Sequence, residues 1–195
     1  MRIVAGVLTT VLVAATALTA AGPAAAASEA GGGHNFRVVA AHGEFGEFEP
    51  GANAVTYQPD LVPVDSKAHV LSVSSSGFGT TTWFAVAGLV PNREYGAHAH
   101  TNACGATGND AGPHYQNVQD PVSPSVDPAY ANPRNEIWLD FTTNAHGRAH
   151  ANSKVDWQFG ERRAKSIVIH ETHTHTDPGH AGMAGARLAC LNVDY

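Results

Sequence analysis

Charge is scarce in this chain. Only 14% of its 195 residues are charged, and 11 Lys and Arg stand against 17 Asp and Glu, for a formal net charge of −6. Lacking a basic patch or stripe, the sequence argues against a nucleic-acid partner, and an anionic substrate would need positive charge gathered locally. Helical periodicity is missing too: no stretch holds an apolar helical repeat for three turns, while 20 Gly and 11 Pro favour turns. There is no internal repeat. Cysteine is limited to Cys104 and Cys190. Apolar content, at 43%, is sufficient for the core of one domain and too high for wholesale disorder. Histidine is in excess, with 12 residues, nine of them between His98 and His180. The composition points to a small, turn-rich, exported domain with metal or proton chemistry.

A basic start at Arg2, an apolar run over 3–21 and small residues at Ala25-x-Ala27 read as a secretory signal peptide over 1–27. The competing reading is a membrane anchor. Gly22-Pro23 breaks the run, no Lys/Arg cluster follows it and no Cys at the cleavage site offers a lipid acceptor, so no stable membrane span is expected after signal removal. Cleavage after Ala27 removes one positive charge, Arg2, and moves −6 to −7. Residues 28–35, with three consecutive Gly, form a flexible lead-in, and 36–195 form the domain. The expected location is extracellular or in the cell envelope. In that oxidising setting Cys104 and Cys190 read as a disulfide rather than two buried free thiols.

Short runs rich in β-branched and aromatic residues recur at 36–40, 54–57, 69–73, 81–86, 95–100, 136–141, 155–159, 166–170 and 187–191. Eight or nine such strands predict an all-β fold, a Greek-key antiparallel sandwich or flattened barrel. Trp83, Trp138 and Trp157 are expected in its core. Residues 101–134 interrupt the pattern with five Pro and no strand signal; a loop of this length that begins at two His reads as functional.

His98 and His100 sit two apart in a strand, so their side chains share one face about 6–7 Å apart. His114, in the stiff turn Gly112-Pro113-His114, and His170, ending the apolar run Ile167-Val168-Ile169, are further candidates. His-x-His alone is weak, because two solvated His on a strand face are common. Four imidazoles from three segments suit copper, zinc, iron or nickel.

These stretches resemble the copper/zinc superoxide dismutases. The resemblance rests on Gly88-Leu89-Val90-Pro91 leading to Gly96-Ala97-His98-Ala99-His100, then Cys104 and Ala111-Gly112-Pro113-His114-Tyr115. It continues through Asn144-Ala145-His146-Gly147-Arg148-Ala149, Val168-Ile169-His170-Glu171 and Ala184-Gly185-Ala186-Arg187-Leu188-Ala189-Cys190, about two-thirds of the chain. It implies an immunoglobulin-like sandwich with long functional loops. His98, His100, His114 and His170 would be copper ligands, Arg187 the cation that guides the superoxide anion, and Cys104–Cys190 the family disulfide. Catalysis would involve Arg187 and His114.

The departures matter as much. No His lies between His114 and His146, and the family's last zinc-loop His and its zinc Asp fall on Arg134 and Ile137. The loop from His170 to Arg187 is short, and the Asp that would tether the two metal shells is Thr174. The chain therefore resembles the copper-only branch, with zinc expected to be absent. Metal-bound His usually passes its second N–H to a carboxylate or carbonyl; Glu136 is the candidate partner of His114, with Asp140 behind it, the alternative being that both face solvent. His173, His175 and His180 read as a solvated loop, with a metal-capturing rim as the rival. His34, His42, His69, His146 and His150 read as surface residues.

The expected function is an exported copper-dependent superoxide dismutase, an enzyme converting superoxide to dioxygen and hydrogen peroxide. The rivals are an exported copper-sequestering domain of the same fold with little turnover, and a structural sandwich with a vestigial His cluster. Oligomeric state and the role of the N-terminal third are not legible.

Overall fold

A computed structural model describes residues 36–195; the expected signal (1–27), lead-in (28–35) and His34 lie outside the described residues. The chain runs through β1 (Phe36–Glu44), β2 (Ala54–Thr56), β3 (Lys67–Ser75), β4 (Gly79–Ala87) and β5 (Glu94–His100). One 3-10 turn, Gly108–Ala111, precedes β6 (Phe141–Thr142), β7 (Ala149–Val155), β8 (Ser166–His170) and β9 (Arg187–Asn192). The strands form two sheets, ordered β1-β3-β4-β7 and β2-β9-β8-β5-β6, with antiparallel pairing throughout. This is the antiparallel β-sandwich expected from the sequence.

The two sheets bury their residues differently, and that difference positions the site. In the first sheet, Ala68 and Val70 on β3 and Phe84 and Val86 on β4 enter the core, while His69, Leu71, Trp83 and Ala85 face outward. Such alternation is what a sheet with one solvated face requires. In the second sheet β8 is buried throughout and β5 after its first residue. One face, with Tyr95, Ala97, Ala99, Ile167, Ile169 and Leu191, joins the core. The other carries His98, His100, Val168, His170 and Cys190 beneath loops: Ala111 packs on Val168 and Cys190, and Thr174 reaches His98. A Cβ on Gly96 would lie 2.5 Å from the Thr172 carbonyl oxygen, so only glycine lets this loop cross β5 opposite His170.

Three expectations are corrected. The strand expected over 136–141 survives as β6 alone; upstream it makes only isolated bridges, Trp138 to His98 and Glu136 to Gln116. Its alternation is nevertheless strand-like, with Ile137, Leu139 and Phe141 in the core. The strand expected over 155–159 lies earlier, at β7. Trp157 and Phe159 pack instead with Tyr115 and Tyr195, at ring separations of 4.7–5.8 Å, an aromatic cluster that imitates strand composition. Trp83 is 46% exposed rather than core, because its outward position on β4 alternates with Phe84.

Cys104 and Cys190 form a disulfide that ties the long loop to β9 across 86 residues. In the chain-entropy account a loop that size stabilises by about 4–5 kcal/mol. Replacing both with Ser should lower the free energy of unfolding by about 2–5 kcal/mol, read by chemical denaturation. An unchanged denaturation midpoint would show that the bridge does not constrain the unfolded chain.

Candidate metal centre

His98 and His100 are fully buried on the loop-covered face of β5, with ring centroids 6.4 Å apart. His170 comes from β8, which pairs with β5 so that His170 lies opposite Gly96. His114 enters from the long loop through a bridge to His100. One ring nitrogen from each of the four His lies within 4.8 Å of the other three, and among the described residues this is the cluster of His, Cys, Asp or Glu able to hold a metal.

The second nitrogens decide which atoms face inward. The Thr174 hydroxyl donates to Asp140 Oδ1 at 2.7 Å and accepts from His98 Nε2 at 2.6 Å, while the Thr174 amide donates to Asp140 Oδ2 at 2.7 Å. His100 Nδ1 donates to the Gly112 carbonyl at 2.9 Å. Gly112 holds φ +72°, and a Cβ there would lie 2.5 Å from Thr101 Oγ1. His114 Nδ1 donates to Glu136 Oε2 at 2.8 Å. Three ring protons thus point away from the centre, leaving His98 Nδ1 and the Nε2 atoms of His100 and His114 bare. Nδ1 of His98 is buried and has no hydrogen-bond partner. His100 Nε2 and His170 Nε2 stand 3.2 Å apart, close to the roughly 3.3 Å expected of two nitrogens held tetrahedrally at about 2.0–2.1 Å from one ion. The donor set therefore fits a late first-row metal, for which imidazole is a suitable ligand.

Burial, first, and then the neighbouring imidazoles hold His98 and His100 neutral, well below the usual histidine range. Burial, His114 and Arg187 push His170 down to about 3. Neutral imidazoles are the metal-binding form.

Glu136 is 1% exposed. Besides His114 it accepts from Gln116 Nε2 at 2.8 Å and Trp138 Nε1 at 2.6 Å. Asp140, expected behind Glu136, belongs instead to Thr174 and His98. Glu136, Trp138 and Asp140 alternate onto one face, and Asp140 is carried to the far end of the cluster. Thr174, read from the sequence as a lost tether, is a hydroxyl that works together with that carboxylate. Trp138, expected in the core, packs edge-on to His98 at 5.7 Å. The i, i+2 spacing of 136, 138 and 140 was the sequence signal for this shared face; nothing in sequence pairs Asp140 with Thr174. Of the residues standing at zinc-ligand positions, Ile137 lies in the core and Arg134 is exposed.

Arg187 stands cross-strand from His170 at a β-bulge, the irregularity that commonly re-aims side chains beside active sites. It donates Nη1 to the Gly108 carbonyl at 2.8 Å; burial lowers its pKa, with Tyr57 opposing. An open cleft of about 810 Å³ is lined by His114, His170 and Arg187 together with Val122, Pro124 and Met183.

No protein-family model matches the chain, and no curated protein matches it. Among solved structures it is similar to the Cu/Zn superoxide dismutase from Brucella abortus, at 18% identity over 82% of this chain and 99% of that one, with a TM-score of 0.53. It is also similar to a point mutant of an SOD-like protein from Bacillus subtilis, at 15% identity over 64% of this chain and 88% of that one, with a TM-score of 0.50. The fold is that of the Cu/Zn superoxide dismutases.

Two predictions follow from this geometry. Thr174→Val leaves the His98 Nε2 proton without its acceptor and should weaken copper affinity by about 10–100-fold in chelator competition, while Thr174→Ser should restore it. Equal affinity in all three proteins would remove Thr174 from the tether. The second concerns the metal-free chain. Its buried His bind fewer protons than their unfolded counterparts, which titrate near 6.5, so stability is full above that pH and declines as pH falls towards about 3. Each of His98, His100 and His170 adds a slope of up to about 1.4 kcal/mol per pH unit. Denaturation curves between pH 7 and 4 that do not move would refute neutral burial.

Proposed function

We propose that this protein is an exported copper-dependent superoxide dismutase of the copper-only kind. In this reading 1–27 is removed and 36–195 is the working domain, acting outside the cell or in its envelope. The observation that carries the reading is the convergence of four imidazoles, two of which, His114 and His170, line an open cleft together with Arg187. The fold shared with a Cu/Zn superoxide dismutase supports it, and the disulfide is consistent with export.

His98, His100, His114 and His170 would hold copper, which when bound supplies one-electron chemistry taking two superoxide anions and two protons to dioxygen and hydrogen peroxide. Arg187 places a positive charge at the cleft and draws in a small anion against the net charge of −7 that remains once Arg2 is removed with 1–27. His114 holds a proton at Nδ1, shared with Glu136, and keeps Nε2 bare toward the centre. Thr174 and Asp140 fix the tautomer of His98. With a carboxylate on its far nitrogen, His114 has no ring position left to bridge to zinc, which supports a site without zinc.

The test is metal analysis of the purified protein paired with a superoxide-decay assay. One tightly held copper per chain, no tightly held zinc and rapid decay are expected. Arg187→Glu should slow decay about 10–100-fold at low salt with copper content unchanged, and added salt should narrow the gap. Full activity in that variant would deny Arg187 its role. Tight copper without decay would favour the sequestering domain, and a tightly held zinc would end the copper-only reading.

A further inference from the structure

Residues 114–116 are not a strand, yet their side chains alternate as in one. Tyr115 turns into the core, while His114 and Gln116 line the cleft. Isolated bridges set His114 beside His100 and Gln116 beside Glu136, and Arg162 holds the Gln116 backbone by donating Nη2 to its carbonyl at 2.6 Å. The Gln116 side chain is buried, and both ends of its amide are used. Nε2 donates to Glu136 Oε1 at 2.8 Å, and Oε1 accepts the Asp120 amide at 2.9 Å.

These two partners specify a carboxamide. Glu136 is an acceptor and the Asp120 amide a donor, so the side chain between them must give one hydrogen bond and take another. Lys and Arg cannot accept, and an ionised carboxylate cannot donate. At Glu136 the effect is orientation: Oε2 receives His114 and Trp138, and the bond from Gln116 to Oε1 keeps the carboxylate from turning about its last single bond. At Asp120 the effect is on the cleft. The Asp120 carboxylate accepts from the Val122 amide at 2.8 Å and the Ser125 hydroxyl at 2.7 Å, and Val122, Pro124, Ser125 and Val126 belong to the cleft lining. Asn135 makes the contrast. It is a second buried carboxamide, and its side chain is spent on Val118 and Tyr130 instead.

We propose that Gln116 is a positioning residue shared by the metal centre and the cleft: through Glu136 it aims the His114 ring, and through the Asp120 amide it sets the cleft wall over 120–126. A substitution at Glu136 is then felt at the wall by way of Gln116. In the copper-dismutase reading, on which this rests for its bearing on turnover, one side chain holds a metal ligand and the path by which substrate arrives.

The test is NMR of the metal-free full chain, reading solvent exchange of the His114 Nδ1 proton and of the Asp120 and Val122 amides. Gln116→Met, similar in length and without either hydrogen bond, should speed all three about 10-fold. Glu136→Gln turns its carbonyl to His114 and Trp138 and its NH2 to Gln116, which can accept only by turning its own NH2 onto the Asp120 amide; that amide should exchange faster. Glu136→Gln with Gln116→Glu restores a partner for every one of these donors and should return the Asp120 amide to the wild-type rate. Gln116→Met should also weaken copper about 10-fold in chelator competition, the lower end of what losing an outer hydrogen bond costs. Circular dichroism checks the fold, and if Gln116→Met does not fold, the single and double Glu136 variants decide. The proposal is overturned if Gln116→Met leaves the three protons or the copper affinity as in the wild type, or if the double variant protects the Asp120 amide no better than Glu136→Gln. It also falls if Asn135→Ala exposes the His114 proton as much as Gln116→Met does. A protein that takes up no copper would sink the dismutase reading while the exchange measurements still decide the role of Gln116.

Discussion

Buried imidazoles impose a hydrogen-bonding constraint on everything around them. Each neutral ring has one N–H and one lone pair, and in a site closed to water both need a partner. Here three protons go outward, to Thr174, the Gly112 carbonyl and Glu136. The lone pairs are left to meet one another. A cation at the centre would satisfy them, and burial maintains the readiness for it by keeping His98, His100 and His170 neutral.

The acceptors come from parts of the chain that the strands alone would not bring together. Glu136 and Asp140 lie on the segment before β6, Gly112 beside the 3-10 turn, and Thr174 in the loop after β8. Each is anchored in turn: Glu136 by Gln116 and Trp138, Thr174 by its own amide on Asp140, and the long loop by the disulfide to β9. The loops therefore act as a third layer on the second sheet. They supply the outer hydrogen bonds while the sandwich supplies rigid strands. This division accounts for a domain in which β5 and β8 are buried on both faces although the first sheet is solvated on one.

Electrostatics follow the same economy. A chain with few charges and a negative balance has little long-range attraction for a small anion. Its usable positive charge at the cleft is local, placed by the β8–β9 register that sets Arg187 across from His170. The Gly108 carbonyl holds the guanidinium against the loop wall, and glycine is needed there because a Cβ would lie 2.7 Å from the Arg187 Cβ.

Much of this was legible in the residues themselves. Alternation on β5, with Ala97 and Ala99 inward and His98 and His100 outward, follows from the two-residue period of a strand, and turn-rich composition with β-branched runs implied a sandwich. Periodicity is a local property, and local properties survive in sequence. The aromatic run at 155–159 misled for the same reason, since packing among Tyr115, Trp157, Phe159 and Tyr195 calls for the same residues as a strand. Only the tertiary structure decided that Asp140 serves His98 through Thr174 and that Trp138 lies in the site. Asp140, Thr174 and His98 are joined by short hydrogen bonds between separate segments, and such bonds depend on where the folded backbone brings the side chains rather than on any spacing along the chain.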